Sequence, residues 1–379
     1  MNYRMHNGNK KIEIQAAMFA NRLQKRLRHL KKWAQRTGAG VFRLYDRDIP
    51  EIPIVLDYYG NAAKPQEAAL AGALYKRPYE KDDAEEGHWL SAMKDSAATA
   101  LEIESSRIFL KQRQRQKGTS QYEKTGEACF VKNVSEGGLV FKVNLSDYLD
   151  TGLFPDRRLL RSIIRSEASD KKILNLFSYT GSFSVYAAAG GAKSTDSVDL
   201  SNTYLFWARE NFLLNGFTAQ IFTRQEDFFA AGKREPVQKS DHKLIRADAI
   251  RFVEKAASTN LRWDIITVDP PAFSNSKKMT ENFDLQRDIA ELLKKCCFLL
   301  MPEGKIFLSV NMRRTAITAA QLENTLRPHI SNLHITDIGE KLIDEDFKGK
   351  KTPKAFLIDS VHTCMTAKNT TETFTMVFS

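Results

Sequence analysis

From residue 171 onward the chain alternates short apolar segments with helix-like stretches, a rhythm that few folds accept. "KKILNLF", "KSTDSVDL", "HKLIRAD", "WDIITVDPP" and "GKIFLSVN" read as strands, separated by stretches such as "NTYLFWARENFLLNG". Strand, helix and strand in succession build parallel pairs. The expected fold class is therefore α/β, a doubly wound parallel sheet with helices on both faces. Ligands in such sheets bind beyond the carboxyl ends of the strands, so the residues that follow each strand bear most directly on function.

After the first strand comes "NLFSYTGSFSVYAAAGG", a turn that opens an alanine-rich helix. Backbone N–H groups at a helix start favour an anion or a carboxylate. A dinucleotide would want three glycines there, so that its pyrophosphate approaches the backbone on several sides. Gly181 stands alone, which argues against a pyrophosphate cradle. S-adenosylmethionine carries one carboxylate and no phosphate, and tolerates Asn175, Phe177, Ser178, Tyr179 and Thr180 before that glycine. The second strand ends at Asp199, followed by Leu200 and Ser201. An acid there accepts ribose hydroxyls, and it suits a helix cap equally well. The third strand ends at Asp248 and Ala249, where the acid meets an adenine amine or caps the helix "AIRFVEKA".

The fourth strand ends in "DPPAFSN". Pro270 and Pro271 have no N–H to donate, so the ladder stops and the Asp269 carboxylate, or the carbonyls beside it, is aimed at donor and acceptor. Phe273 offers a flat face for a flipped-out base, and Asn275 an amide for its edge. Methyl transfer is an in-line displacement governed largely by alignment, which makes a stiff strand end useful. Taken together, the strand ends point to a class I (Rossmann-like) methyltransferase using S-adenosylmethionine, with Asp269, Pro270, Phe273 and Asn275 at the reacting centre.

The N-terminal part reads differently. Residues 12–36 form a helix candidate in which Phe19, Leu23, Leu27, Leu30 and Trp33 share one face. The other face carries Arg22, Lys25, Arg26, Arg28, Lys31, Lys32 and Arg36, and no acid occurs from Phe19 to Tyr45. Solvated faces normally mix signs, so this one suits phosphates. "VFRLYD", "IPIVLDYY", "ACFVKNV" and "LVFKVNLS" read as strands, the last two a hairpin turning on Gly137 and Gly138. Residues 84–104 read as an acidic, alanine-rich helix. The following "LKQRQRQKGTSQYEK" offers Lys111, Arg113, Arg115 and Lys117 to a backbone and Tyr122 to a base. Lys277, Lys278, Arg313 and Arg314 flank the expected cleft as a backbone track. The division is residues 1–150, a smaller α+β RNA-binding domain with its basic helix, and 151–379, the methyltransferase domain.

The net charge of +11 over 379 residues favours an anionic partner, nucleic acid first. No apolar run is long enough to span a bilayer, and no signal core opens the chain, so the expected location is the cytoplasm, away from membranes. Cys129, Cys296, Cys297 and Cys364 are too scattered for a disulfide framework or a zinc site, and no metal is expected.

Five blocks resemble the RlmK-type bacterial 23S rRNA methyltransferases: "LNLFSYTGSFSVYAAAGGAKSTDSVDLSNTYLFWARENFLLNG", "DPPAFSNSKKM", "RQRQKGTSQYEK", "DYLDTGLFPDRRLLR" and "FANRLQKRLRHLKKWA…FRLYDRDIPE". The resemblance spans roughly Phe19 to Val361. It implies a guanine-N7 methyltransferase acting on 23S rRNA or a large-subunit precursor, with Asp156 and Arg158 bordering the amino-acid end of the cofactor. In many bacteria this unit is the C-terminal half of a fused enzyme that methylates two guanines, and this chain is expected to carry the N7 activity alone. Three segments depart from the family: residues 61–81, which replace its usual strand after "DxYG", a longer 222–241 loop, and the tail from His362 onward.

A cousin family makes 5-methylcytosine and needs a thiol just after strand five to add to the ring. Here Val310 and Asn311 occupy that place. Guanine N7 carries a lone pair and no proton, and so needs neither base nor covalent catalyst. The residues alone leave N7 and the exocyclic N2 amine open. A non-catalytic RNA-binding assembly factor and a small-molecule methyltransferase are the readings from other classes.

Overall fold

A computed structural model describes residues 2–75, 82–112, 129–231, 240–271, 273–274, 283–311, 317–328, 330, 333–350 and 352–360. The chain opens with α1 (Asn2–Thr37), ten residues longer at its start than the apolar periodicity suggests. Phe19, Leu23, Leu30 and Trp33 are buried as their spacing requires, and Gly38, at φ 65°, ends the helix. Beneath it lies a four-stranded sheet in the order β1 (Val41–Asp46), β2 (Ile54–Tyr59), β3 (Ala69–Leu74) and β4 (Ile108–Gln112). Helix α2 (Asp83–Leu101) covers the same face, and its N-cap Asp82 accepts from the N–H groups of Ala84 and Glu85. Strand β3 corrects the expectation that residues 61–81 replace a strand. "ALAGAL" pairs antiparallel with β2 and parallel with β4. Its small residues hide the usual strand signature, and Gly72 is required because a Cβ there would lie 2.1 Å from the Val55 carbonyl oxygen.

The hairpin β5 (Val131–Glu136) and β6 (Leu139–Asn144) turns on Gly137 and Gly138, both at positive φ. It packs between the two larger sheets. Phe141 and Val143 share a core with Val41 and Tyr59 on one side and with Val185, Leu205 and Phe212 on the other.

The remainder alternates as its sequence demands: α3 (Arg158–Glu167), β7 (Lys172–Leu176), α4 (Ser182–Ala189), β8 (Ser194–Asp199), α5 (Asn202–Leu214), β9 (Ala219–Phe222), α6 (Gln225–Ala231), β10 (His242–Arg246), α7 (Ala249–Ala257), β11 (Trp263–Val268), a short ladder of β12 (Phe273–Ser274) with β13 (Phe283–Asp284), α8 (Leu285–Phe298), β14 (Leu300–Val310), α9 (Ala319–Leu326), β15 (Leu333–Asp337) and β16 (Lys354–Ser360). The eight-stranded sheet runs β15-β16-β14-β11-β7-β8-β10-β9. All pairs are parallel except those made by β16 with β14 and β15. Part of the long 222–241 segment is ordered as α6, which follows the additional edge strand β9. Cys296 and Cys297 are buried in α8, and burial pushes both thiols up, Cys297 to about 12.

Charged groups are buried where the pieces meet. Glu136, at the hairpin turn, is fully buried and accepts from Arg161 Nε and Nη2 at 2.8 and 2.5 Å and from the Tyr186 hydroxyl at 3.0 Å. Removing one partner of such a pair strands the other without water. Glu136→Ala is expected to cost about 3–5 kcal/mol in urea unfolding. A loss below about 1 kcal/mol would show that Arg161 finds water or another acceptor.

Candidate active site

The parallel register brings the strand ends level. Leu176 pairs with Val198 and with Val268, and Arg246 pairs with Asp199, so β7, β8, β10 and β11 finish side by side. Beyond that edge the chain makes a tightly bonded rim. Phe177 and Tyr179 adopt positive φ, unusual for residues with side chains, and Gly181 follows at 74°. The Tyr179 N–H donates to Asp199 Oδ2 at 2.9 Å, and the Ser201 N–H to Oδ1 at 2.8 Å. The Ala247 N–H reaches the Asp199 carbonyl at 3.1 Å, and the Thr180 hydroxyl donates to the Gly152 carbonyl at 2.6 Å. Gly152 is at φ 104°, and a Cβ there would sit 2.3 Å from the Trp207 ring.

One residue missed by the sequence reading organises the site. Arg157, buried between two carboxylates, donates from Nε and Nη2 to Asp269 at 3.2 and 2.9 Å, and from Nη1 to Asp156 at 2.8 Å. It ties the 152–157 loop to the end of β11. Its signal was present as the middle residue of "DRR", where only the outer two were singled out.

Several expectations need correction. Arg158 does not border this rim. Its guanidinium turns the opposite way, to Asp344, Asp346 and the Val41 carbonyl, and lies 5.0 Å from the Trp33 ring centroid. Consecutive side chains at a helix start diverge by about 100°, so only one of the pair can face the sheet edge. Asn175 is buried beneath the rim, its amide accepting from Thr267 and donating to Ser184, so its side chain serves the sheet interior. Each oxygen of the Asp269 carboxylate accepts one bond from Arg157, so its first partner is that guanidinium rather than a reacting group. Asp248 caps α7 through the Arg251 N–H at 3.1 Å, and Ala249 is the first residue of that helix. Thr180 is fully buried and holds two loops together.

Ser178, Tyr179, Gly181, Asp199, Leu200 and Ser201 do come together with Asp156 and Asp269 along this edge. Asp156 Oδ1 and Ser178 Oγ are buried and reach no hydrogen-bond partner among the described residues. Burial with no compensating cation pushes the Asp199 carboxyl up to about 6, only partly offset by the N–H groups that it accepts. Phe273 lies in β12, its side chain outside the described residues. Asn275, Lys277, Lys278, Arg313 and Arg314 lie outside them entirely, as do Arg113, Arg115, Lys117 and Tyr122. On α1, Lys25, Lys31 and Lys32 are exposed. Arg22 is instead paired with Asp48 at 2.6 Å, and Arg26 donates to the Asp346 carbonyl at 3.2 Å, so both face the protein. Lys111 turns its amine to the Tyr148 carbonyl, and burial lowers its pKa to about 8. Among the described residues no cluster of His, Cys, Asp and Glu forms a metal site, and no helix is long and apolar enough to cross a membrane.

The doubly wound sheet, with the antiparallel β16 inserted beside β14 and with acids and a glycine turn at adjacent strand ends, has the architecture of a class I methyltransferase. The chain matches the family described as S-adenosylmethionine-dependent methyltransferase over residues 63–346. It is 40% identical over 340 residues to ribosomal RNA large subunit methyltransferase K of Neisseria meningitidis, covering 90% of this chain and 86% of that protein. It is 43% identical over 318 residues to ribosomal RNA large subunit methyltransferase K/L of Methylococcus capsulatus, covering 83% of this chain but only 40% of that protein. The chain thus belongs to the S-adenosylmethionine-dependent methyltransferases, in the branch of the ribosomal RNA large subunit methyltransferases K. The fold is shared with SMU.776 complexed with SAH, at a TM-score of 0.67 and 22% identity over 91% of this chain and 81% of that one. It is shared also with an S-adenosylmethionine-dependent methyltransferase from Agrobacterium tumefaciens, at a TM-score of 0.52 and 19% identity over 81% and 87% of the two chains.

Without Arg157, Asp156 and Asp269 would lose the cation that they share and would repel each other. Arg157→Met is therefore expected to lose about 3–5 kcal/mol, read from urea unfolding. A loss below about 1 kcal/mol would mean that the two carboxylates are solvated independently.

Proposed function

We propose that this chain transfers the methyl group of S-adenosylmethionine to guanine N7 in 23S rRNA, free or within a large-subunit precursor. The observation that carries the reading is the continuous bonded rim from Gly152 to Asp269. It stands in a chain whose relatives are named for the large-subunit ribosomal RNA.

The residues present fit the cofactor. An unpartnered buried acceptor costs about 1–3 kcal/mol, so Asp156 Oδ1 and Ser178 Oγ mark places where a polar ligand completes the bonding. Asp156 suits an ammonium and the Ser178 hydroxyl a carboxylate, the two polar ends of the methionine moiety. The Asp199 carboxylate suits ribose hydroxyls, and Asp248, which caps α7 through one carboxylate oxygen, suits the adenine amine. When bound, S-adenosylmethionine supplies an electrophilic methyl on a sulfonium. The protein's part is alignment: Arg157 immobilises the strand end, Pro270 and Pro271 fix its exit, and the Phe273 face and Asn275 amide hold the base. No general base is required, because N7 has no proton to lose. No cysteine occurs at residues 176–181, 199–201, 247–249, 269–271 or 310–311, and both α8 thiols are buried, which disfavours addition to a cytosine ring. Lys25, Lys31 and Lys32, together with Arg113, Arg115, Lys117, Lys277, Lys278, Arg313 and Arg314, suit an RNA backbone. A cytoplasmic setting follows from that substrate.

Two outcomes are expected. Ribose hydroxyls bond to the ionised form of Asp199, so affinity for S-adenosylhomocysteine should fall about tenfold per pH unit below about 6. Asp199→Ala should bind weakly at every pH, as titration calorimetry would register. A pH-independent wild-type affinity would remove Asp199 from the ribose site. Incubation with labelled methyl donor and unmodified 23S rRNA, followed by nucleoside mass analysis, should yield 7-methylguanosine. N2-methylguanosine or 5-methylcytidine would overturn the choice of atom, and no transfer would favour an assembly factor.

A further inference from the structure

Arg157 and Arg158 are neighbours that serve opposite sides of the molecule. Arg157 holds Asp269. Arg158 donates from Nη1 to Asp344 Oδ2 at 2.8 Å and to Asp346 Oδ1 at 3.2 Å, and from Nη2 to Asp346 Oδ2 at 3.3 Å. The Asp344–Asp346 segment is gripped in turn by the N-terminal unit. The Trp33 indole donates to Asp344 Oδ1 at 3.1 Å, His29 bonds Glu345 at 2.9 Å, and Arg26 reaches the Asp346 carbonyl at 3.2 Å. The Arg43 N–H donates to Asp346 Oδ2 at 2.9 Å. Three side chains of α1 and the backbone of β1 thus converge on three residues, which Arg158 connects to the turn that carries Arg157.

We infer that Arg158 and the Asp344–Asp346 segment form a clasp that positions the basic helix α1 at a fixed distance from the methyl-transfer edge. The inference rests on the RNA-substrate reading above. Lys25, Lys31 and Lys32 lie on the exposed side of the same helix whose inner side enters the clasp. An RNA held by its backbone on α1 then presents its base at a set spacing from Asp269, with two adjacent residues as the rigid link. Arg158 and Asp344 touch neither donor nor acceptor and are positioning residues. Misplacement of about 1 Å is enough to cost about a hundredfold in an alignment-controlled reaction.

The test uses the full chain carrying Asp344→Asn, which keeps an acceptor for Trp33, and Arg158→Lys. Folding is checked by circular dichroism, and S-adenosylhomocysteine affinity by calorimetry. Methyl transfer into unmodified 23S rRNA gives kcat and KM. Spin labels at Gln35→Cys and Lys255→Cys, with Cys129 and Cys364 replaced by serine, report the spacing. The clasp predicts a fall in kcat of about 10- to 100-fold, a KM for RNA within about threefold, cofactor affinity within about twofold, and a broadened distance distribution. If Arg158→Lys does not fold, Asp344→Asn carries the test. Unchanged kcat with an unchanged distance distribution overturns the clasp, and so does a loss of cofactor affinity in step with kcat. Broadened distances in the variants of an enzyme that transfers no methyl to 23S rRNA would support the clasp while rejecting the substrate.

Discussion

Two carboxylates on separate segments share one guanidinium, and the arrangement of the strand ends depends on that sharing. Asp156 directly precedes Arg157 and Asp269 lies 112 residues further along the chain, yet both are within 3.2 Å of its guanidinium. Without the cation, the two acids would repel each other and the strand end would lose its fixed exit. Two prolines after Asp269 remove the alternative of extending the ladder. The strand can therefore neither lengthen nor turn, and this is the stiffness that an in-line transfer needs.

Buried charge recurs through the molecule. Glu136 with Arg161, and Arg158 with Asp344 and Asp346, sit where one unit meets another. Apolar contacts of equal volume would hold the pieces at least as firmly. Ion pairs with several directed bonds add orientation, since a bidentate guanidinium tolerates little rotation. If the basic helix and the strand end serve one substrate, as proposed, orientation is the more useful property.

Much of this was legible in the sequence, and the failures have physical causes. The parallel strands announced themselves because strands buried on both faces are continuous apolar runs, as in "DIITV". Asp199 and Asp269 stood out because an acid at a strand end has no place in a core. Strand β3 was hidden, since "ALAGAL" contains no β-branched residue and its packing needs small side chains. Arg157 and Arg158 could not be told apart, because sequence spacing gives no information on which way an isolated turn faces. Asn175, Arg22 and Arg26 looked available in the sequence, and only the fold reveals that Ser184, Asp48 and Asp346 engage them.

The central claim is that the rim at Asp156, Ser178, Asp199 and Asp269 encloses one sulfonium donor. A crystal structure with S-adenosylhomocysteine measures this directly. The account predicts the ammonium on Asp156, the ribose hydroxyls on Asp199, and the sulfur facing the carbonyls of Asp269 and Pro270. A ligand seated elsewhere, with Asp156 Oδ1 and Ser178 Oγ still unpartnered, would contradict it.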